Sequence, residues 1–190
     1  MIVLVTGGAR SGKSSFAESW CIRHSDSGSG LYIATAQAFD EEMKERIQHH
    51  RGQREGSGFK WTTLEEPLRL PELLSTLVQA GSSSSVVLVD CLTLWLSNVL
   101  LSDEEENGSG EESRTESSIR RLVEAVSAYS GQLVLVTNEV GSGIVPEYKL
   151  GRQYRDLAGR LNQSIAAIAD QVFLVTAGIP IELKSREYRL

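Results

Sequence analysis

The sequence predicts an α/β protein built on a doubly wound, mostly parallel sheet. Five short apolar runs are rich in β-branched residues and do not alternate with polar residues, which is typical of strands covered on both faces. These runs are residues 2–6, 31–35, 86–90, 133–137 and 172–176. Helix-like segments alternate with them, at about 13–24, 40–51, 67–79, 92–101, 114–130 and 149–169. The regular alternation of strand and helix is the observation that predicts a parallel sheet.

The length and composition indicate an ordinary globular chain. Its 190 residues favour one domain spanning 1–190, and 41% are hydrophobic and 23% charged. No apolar run approaches the ~20 residues of a membrane span, and no export signal is visible at the N-terminus, so we expect a cytoplasmic protein. Cys21 and Cys91 form no CxxC pair, which favours free thiols over a disulfide or a metal site.

The negative charge is concentrated in one segment. Six of the 25 acids lie between Ser102 and Ser113, and without them the chain carries 19 acids and 19 bases. We therefore expect no nucleic-acid partner. The acidic segment, at about 102–113, is predicted to be a disorder-prone surface loop, with partner binding as the alternative. The stretch from Gly52 to Lys60, rich in glycine and charge, is predicted to be a mobile loop.

A phosphate-binding pattern follows the first predicted strand. It comprises Gly7, Gly8, Ala9, Arg10, Ser11, Gly12, Lys13 and Ser14, called the phosphate loop below, and it fits G-x-x-x-x-G-K-[ST]. Glycines let backbone N–H groups approach phosphates, and the start of the next helix adds positive potential. Lys13 supplies a cation for the β- and γ-phosphates, and the Ser14 hydroxyl is a suitable ligand for Mg²⁺. The motif predicts binding of a nucleoside triphosphate, ATP or GTP.

Asp90 closes the third predicted strand. An acid at this place can hold Mg²⁺ or its water, directly or through Ser14. The alternative is an N-cap for the helix that begins near Leu92, and one side chain could serve both purposes.

Two adjacent histidines, His49 and His50, end a predicted helix and precede Arg51 and Arg54. His50 falls on the stripe that also contains Phe39, Met43 and Ile47 at helical spacing, whereas His49 points about 100° away. An imidazole surrounded by cations can attack phosphorus. Solvated or capping histidines at a helix C-terminus are the alternative, and a metal site is disfavoured because adjacent histidines diverge.

Several motifs together resemble one enzyme family. They lie at residues 5–14, 32–36, 46–51, 61–65, 90–93, 136–147, 154–156 and 159–163. The most specific is Thr-Asn-Glu-Val-Gly-Ser-Gly-Ile-Val-Pro at 137–146. In order and spacing the chain resembles the bifunctional adenosylcobinamide kinases / adenosylcobinamide-phosphate guanylyltransferases of cobalamin biosynthesis, whereas the segment 102–113 matches no part of that pattern.

The resemblance implies two reactions and a P-loop fold similar to recombinase-type ATPases. A nucleoside triphosphate phosphorylates adenosylcobinamide; GTP then guanylylates an enzyme histidine, and the corrinoid phosphate takes up the GMP. The resemblance also implies a homo-oligomer, a trimer. Two alternatives stay open: a P-loop kinase that forms no covalent intermediate, and a nucleotide-dependent switch protein that binds a partner through the acidic segment.

The resemblance assigns site residues by position. The guanylylated residue is one of the histidine pair, and we expect His50 rather than His49. The phosphate loop holds the triphosphate, and Ser14 and Asp90 are the expected Mg²⁺ ligands. The remaining nucleotide contacts that it implies are Ala34, Thr35, Ala36, Arg51, Gly52, Gln53, Arg54, Glu65 and Asp90. Asn138 and Glu139 follow a predicted strand, where open α/β sheets bind ligands, so we also expect them near the active site; a simple strand-to-helix turn is the alternative.

Overall fold

A computed structural model describes residues 1–37, 41, 45, 52, 54, 56–80, 85–105 and 114–188. Within these ranges the strands are β1 (Ile2–Gly7), β2 (Ser29–Ala34), β3 (Lys60–Glu65), β4 (Val86–Asp90), β5 (Leu133–Val136), β6 (Gln171–Thr176) and β7 (Ile179–Glu182). The α-helices are α1 (Lys13–His24), α2 (Leu70–Gln79), α3 (Leu92–Glu105), α4 (Arg114–Ser127) and α5 (Lys149–Ile168). A short 3₁₀-helix, Lys184–Arg186, follows β7.

The strands form one sheet in the order β3-β2-β4-β5-β1-β6-β7. All neighbours pair in parallel except β6 and β7, which are antiparallel. Successive residues of β1 face opposite sides: Val3 and Val5 pack with α1, whereas Ile2 and Leu4 pack with the core formed by α2, α3, α4 and α5. Helices therefore cover both faces, and the predicted doubly wound, mostly parallel sheet is confirmed.

The sequence prediction missed the two edge strands. Strand β3 is mostly exposed, and its polar residues gave no continuous apolar run. Strand β7 contains Pro180 and reaches the sheet through the two-residue turn Ala177-Gly178, whose φ angles are 52° and 79°. Proline is tolerated at a sheet edge, where its missing N–H is not needed. Edge strands lack the two-sided burial on which the prediction depended.

Residues of two predicted loops are helical in the structure. Helix α3 continues to Glu105, so the first residues of the predicted acidic loop are helical. The Asp103 carboxylate accepts hydrogen bonds from the backbone N–H and the hydroxyl of Thr115, 3.1 and 2.9 Å away, which ties the end of α3 to the start of α4. In the predicted mobile loop 52–60, Arg54 is helical and only 5% exposed. A composition argument anticipates neither the contact of Asp103 with Thr115 nor the burial of Arg54.

Both cysteines are free, as predicted, and both are buried. Among the described residues, no helix is both long and apolar enough to cross a bilayer. Most of the predicted helix at 40–51 lies outside the described residues, although Glu41 and Glu45 are helical.

Candidate active site

The phosphate loop lies where β1 ends, pressed against β6 and the turn that follows it. A Cβ atom on Gly7 would lie 2.4 Å from the carbonyl oxygen of Val175 and 2.6 Å from the Ser11 hydroxyl. Gly12 has φ +93°, and a Cβ there would lie 3.3 Å from the Cα of Gly178. The Gly178 N–H donates to the carbonyl oxygen of Ser11 at 2.8 Å. These contacts require glycine at both ends of the loop and hold its backbone in place.

The loop leads into a helix start that suits an anion. Gly12 caps α1 without a side-chain hydrogen bond, and the first turn of the helix contains no acid. The first N–H groups of α1 therefore point out with their positive end toward the loop. Lys13 is 8% exposed, and its Nζ donates to the carbonyl oxygen of Gly8 at 3.0 Å. The Lys13 ammonium and the uncapped start of α1 together create the positive potential that a phosphate site needs.

Two buried hydroxyl oxygens beside the loop have no hydrogen-bond partner among the described residues. They belong to Thr6, in β1, and Ser11, in the loop. Buried polar atoms are nearly always paired, and an unpaired one costs about 1–3 kcal/mol. Ser11 lies two residues before α1, so its unpaired hydroxyl indicates that a polar ligand completes the site at the helix start.

Three predicted residues lie in one row across the sheet. Glu65 pairs in register with Ala34, Ala34 with Asp90, Asp90 with Val136, and Val136 with Val5. The row lies at the carboxyl ends of five parallel strands, where open α/β sheets bind ligands. At ~4.8 Å per strand, Asp90 is about 10 Å and Glu65 about 19 Å from β1. The sheet therefore brings Asp90 to the vicinity of the phosphate loop and leaves Glu65 at its far edge.

Thr35 is fully buried, and its polar groups are all engaged within the protein. Its hydroxyl donates to the carbonyl oxygen of Cys91 at 2.7 Å and accepts from the Cys91 N–H at 2.8 Å. Its N–H donates to the carbonyl oxygen of Asp90 at 3.2 Å, and its own carbonyl accepts from the Asn98 amide at 2.8 Å. Thr35 thus joins the ends of β2 and β4, while its half-buried neighbours Ala34 and Ala36 lie nearer the surface.

A chain of polar contacts links α1 to Asp90. The Tyr32 hydroxyl donates to the Asp90 carboxylate at 3.0 Å. The guanidinium carbon of Arg54 lies 3.7 Å from the centre of the Tyr32 ring. One guanidinium nitrogen of Arg54 lies 3.7 Å from a carboxylate oxygen of Glu18, an ion pair longer than a hydrogen bond. Arg54, whose contact with nucleotide the resemblance implies, therefore packs between α1 and β2.

This chain of contacts changes the proton affinity of its members. Burial raises the pKa of Glu18 to about 7; the Arg54 charge opposes the rise and the Asp90 charge adds to it. Burial, reinforced by the Asp90 charge, raises the pKa of Tyr32, which therefore stays protonated and donates to Asp90. Cys91, next to Asp90, has its pKa raised to about 11, chiefly by burial, so it is a protonated thiol near neutral pH.

A second polar network holds the end of β5 beside the phosphate loop. The Asn138 amide donates to the Thr93 hydroxyl at 2.9 Å, and the Asn162 amide donates to the carbonyl oxygen of Asn138 at 3.1 Å. Thr137 donates to the Asn162 side-chain oxygen at 2.7 Å. The backbone N–H of Glu139 donates to the carbonyl oxygen of Gly7 at 3.1 Å. The structure therefore places Asn138 and Glu139 next to the phosphate loop.

Four predicted site residues, His49, His50, Arg51 and Gln53, lie outside the described residues. Gly52 is helical and exposed.

For Mg²⁺, the predicted ligands Ser14 and Asp90 supply oxygen atoms, which this ion prefers. Within the described ranges no group of three or more His, Cys, Asp or Glu side chains could hold a metal ion. With two protein oxygens, Ser14 and Asp90 would suit a Mg²⁺ that keeps most of its waters rather than one enclosed by protein.

Comparison with known structures supports the fold. The chain superimposes on the assembled ATPase EscN of the enteropathogenic E. coli type III secretion system with a TM-score of 0.60, covering 93% of this chain and 43% of that chain at 9% identity. The family model for cobinamide kinase / cobinamide phosphate guanyltransferase, CobU, matches residues 3–183. The chain belongs to the CobU family.

Curated CobU-family relatives match over nearly their whole length. The bifunctional adenosylcobalamin biosynthesis protein CobU of Escherichia coli K12 is 42% identical over 190 residues, covering 97% of this chain and 100% of the relative. The CobP protein of Pseudomonas aeruginosa, also named bifunctional, is 44% identical over 182 residues, covering 95% and 96%. The family resemblance predicted from the motifs is therefore confirmed.

Sequence reasoning missed Glu18, Tyr32 and the structural role of Arg54. Glu18 follows Ser14 by four residues, so both lie on one face of α1, but only the fold brings them to Arg54. No local pattern marks a contact between residues 36 positions apart in the chain. The available signal was an acid set among the apolar residues Phe16, Ala17, Trp20 and Cys21.

Proposed function

We propose that this CobU-family protein phosphorylates adenosylcobinamide with a nucleoside triphosphate and then transfers GMP from GTP to the resulting phosphate. The observation that carries the proposal is a phosphate loop with an uncapped helix start, in a chain that matches a bifunctional relative over nearly its whole length. Both relatives are named bifunctional, and the chain covers nearly all of each. The comparison therefore gives no reason to assign the kinase activity without the guanylyltransferase activity.

In the kinase step, the acceptor hydroxyl oxygen attacks the γ-phosphorus. The bond from γ-phosphorus to the β–γ bridging oxygen breaks, a nucleoside diphosphate leaves with the electron pair, and the hydroxyl proton passes to a base. The chain's own contribution is positioning and charge neutralisation. Backbone N–H groups of the phosphate loop and the Lys13 ammonium neutralise the phosphate oxygens, and Mg²⁺, when held by Ser14 and Asp90, adds further positive charge.

In the guanylyl step, an imidazole nitrogen of His50 attacks the α-phosphorus of GTP. A phosphorus–nitrogen bond forms, the bond to the α–β bridging oxygen breaks, and pyrophosphate leaves. A phosphate oxygen of the corrinoid then attacks the same phosphorus, the phosphorus–nitrogen bond breaks, and the histidine is regenerated. Splitting the transfer into two displacements is what nucleophilic catalysis achieves.

Chain length supports a histidine close to the phosphates. His50 precedes Arg54 by four residues, so their Cα atoms are at most about 14 Å apart. Arg54 contacts Glu18, which lies about 6 Å along α1 from Ser14. This chain length allows an imidazole at position 50 or 49 to reach the phosphate loop, which supports the proposal. We also propose that Arg51, Gln53 and Glu65 contact the nucleotide. The protein is further proposed to be a homo-oligomer, and light scattering tests this by measuring its molecular mass in solution.

The guanylyl step is tested by incubating the protein with Mg²⁺ and [α-³²P]GTP. We expect a protein-bound label that acid removes and alkali does not, typical of a phosphorus–nitrogen bond. His50→Ala should abolish the label, whereas His49→Ala serves as the matched control and should retain it. Normal labelling of both variants would exclude both imidazoles as the guanylylated group, and loss in His49→Ala alone would move the assignment to His49.

The kinase step is tested with [γ-³²P]GTP or [γ-³²P]ATP and adenosylcobinamide. We expect radioactive corrinoid phosphate from wild type and from His50→Ala, because phosphorylation does not use the imidazole. A single-activity kinase would give this product and no label from the α-phosphate.

A further inference from the structure

Arg54 is a guanidinium enclosed by protein on the face of the sheet that α1 covers. Its side chain is 6% exposed and that of Glu18 15%. Beneath it lies the ring of Tyr32, itself buried and bonded through its hydroxyl to Asp90. A charge in such surroundings is stabilised by an opposite charge and by an aromatic face, and both are present here.

The contacts join three separate parts of the chain. Glu18 lies in the helix that begins at the phosphate loop, Tyr32 in β2, and Arg54 just after the histidine pair. The Glu18 oxygen nearest Arg54 has no hydrogen-bond partner among the described residues, so the ion pair is its main polar contact. Removing one member of a buried ion pair leaves the other uncompensated, and each member therefore depends on the other.

We propose that Glu18 and Tyr32 anchor Arg54, which follows His50 by four residues in the sequence, against α1 and β2, and that Glu18 and Arg54 are positioning residues for guanylyl transfer. The inference rests on the proposed histidine intermediate. Attack on phosphorus needs the imidazole about 3–3.5 Å from its target, and a displacement of about 1 Å can reduce the rate about 100-fold. An anchor four residues from His50 restricts that displacement.

The anchor is distinguished from direct nucleotide binding by kinetic constants. Arg54→Gln removes the charge and the stacking plane, and we expect the rate of labelling by [α-³²P]GTP to fall about 10- to 100-fold at saturating GTP. The KM for GTP should stay within about threefold, since an anchor acts on the attacking group. If Arg54 instead contacted the nucleotide, KM would rise while the saturated rate held, and the inference would be overturned.

Phosphoryl transfer to adenosylcobinamide provides the internal comparison. It uses the phosphate loop but no histidine, so in Glu18→Gln it should stay within about threefold of wild type. Equal losses in both reactions would show a general structural defect and contradict a positioning role. The exposed ion pair of Glu72 with Arg121 supplies the matched control, and Glu72→Gln should change neither rate.

A double-mutant cycle tests whether Glu18 acts through Arg54. Glu18→Gln keeps the shape of the side chain, and it should slow labelling about 3- to 30-fold. The double variant should be no slower than Arg54→Gln, because the pair acts as one unit; losses that multiply would refute the anchor. Should Arg54→Gln not fold, Glu18→Gln carries the test alone, and wild-type labelling would then refute the anchor. Absence of label in wild type would refute the histidine mechanism itself.

Discussion

The ammonium of Lys13 donates a hydrogen bond to the carbonyl oxygen of Gly8, 3.0 Å away, so that the lysine lies across the loop to which it belongs. A carbonyl oxygen carries only a partial negative charge, whereas a phosphate oxygen carries nearly a full one. Transfer of the ammonium from Gly8 to a phosphate is therefore favourable, because hydrogen bonds between charged groups are about twice as strong as neutral ones.

Lys13→Ala should weaken binding of GTP. A charged hydrogen bond contributes about 1.5–3 kcal/mol, so we expect the Kd for Mg²⁺-GTP to rise roughly 10- to 150-fold. Isothermal titration calorimetry measures this directly. Lys60→Ala, at an exposed position of the sheet-edge strand β3, is the control and should bind as wild type does. An unchanged Kd in Lys13→Ala would exclude the lysine from phosphate binding.

Gly7→Ala should destabilise the fold. The added methyl would meet the Val175 carbonyl at 2.4 Å, a backbone atom that cannot move aside alone. We expect a loss of about 1–3 kcal/mol in the free energy of unfolding, measured with urea. Gly159→Ala is the matched control: its new methyl meets nothing within 4 Å on helix α5, so it should raise stability by up to about 1 kcal/mol. Equal effects would contradict the close packing of the phosphate loop.

The buried carboxyl of Glu18 should make stability depend on pH. Its pKa rises from 4.5 in the unfolded reference to about 7 in the folded protein, chiefly because of burial, so the folded state binds the proton more tightly. Its contribution to the free energy of unfolding is complete below about pH 4.5 and is lost as pH rises to about 7.

Glu18→Gln removes this titration. We expect the stability of the variant, relative to wild type, to be higher near pH 8 than near pH 5 in urea unfolding. Glu124→Gln, on the exposed face of α4, should follow the wild-type curve. Parallel curves for Glu18→Gln and wild type would contradict a buried, proton-binding Glu18.

Asn162 should support the end of β5. Its side chain accepts a hydrogen bond from Thr137 at 2.7 Å and donates one to the Asn138 carbonyl at 3.1 Å. Asn162→Ala leaves both partners unsatisfied, which should cost about 1–3 kcal/mol in the free energy of unfolding. Gln163→Ala, exposed on the same helix, should change stability by less than about 0.5 kcal/mol. A neutral Asn162→Ala would show that the network contributes nothing.

Much of the fold and the phosphate loop could be predicted because local patterns encode them. Buried parallel strands such as β1 and β4 are continuous apolar runs, and the loop motif follows its strand directly. Strands β3 and β7 were not predicted, because a strand at an exposed sheet edge does not need a continuous apolar run. The contact of Glu18 with Arg54 depends on three distant segments meeting, and no periodicity in the sequence reports it.

A crystal structure with Mg²⁺ and a GTP analogue that cannot be cleaved between the α- and β-phosphates would show whether the phosphate loop and the histidine act on one nucleotide. We expect β- and γ-phosphates inside the phosphate loop, the Lys13 ammonium moved from Gly8 onto them, and the His50 imidazole about 3.5 Å from the α-phosphorus. Phosphates bound elsewhere, with Lys13 still on the Gly8 carbonyl and both imidazoles remote from phosphorus, would contradict this expectation.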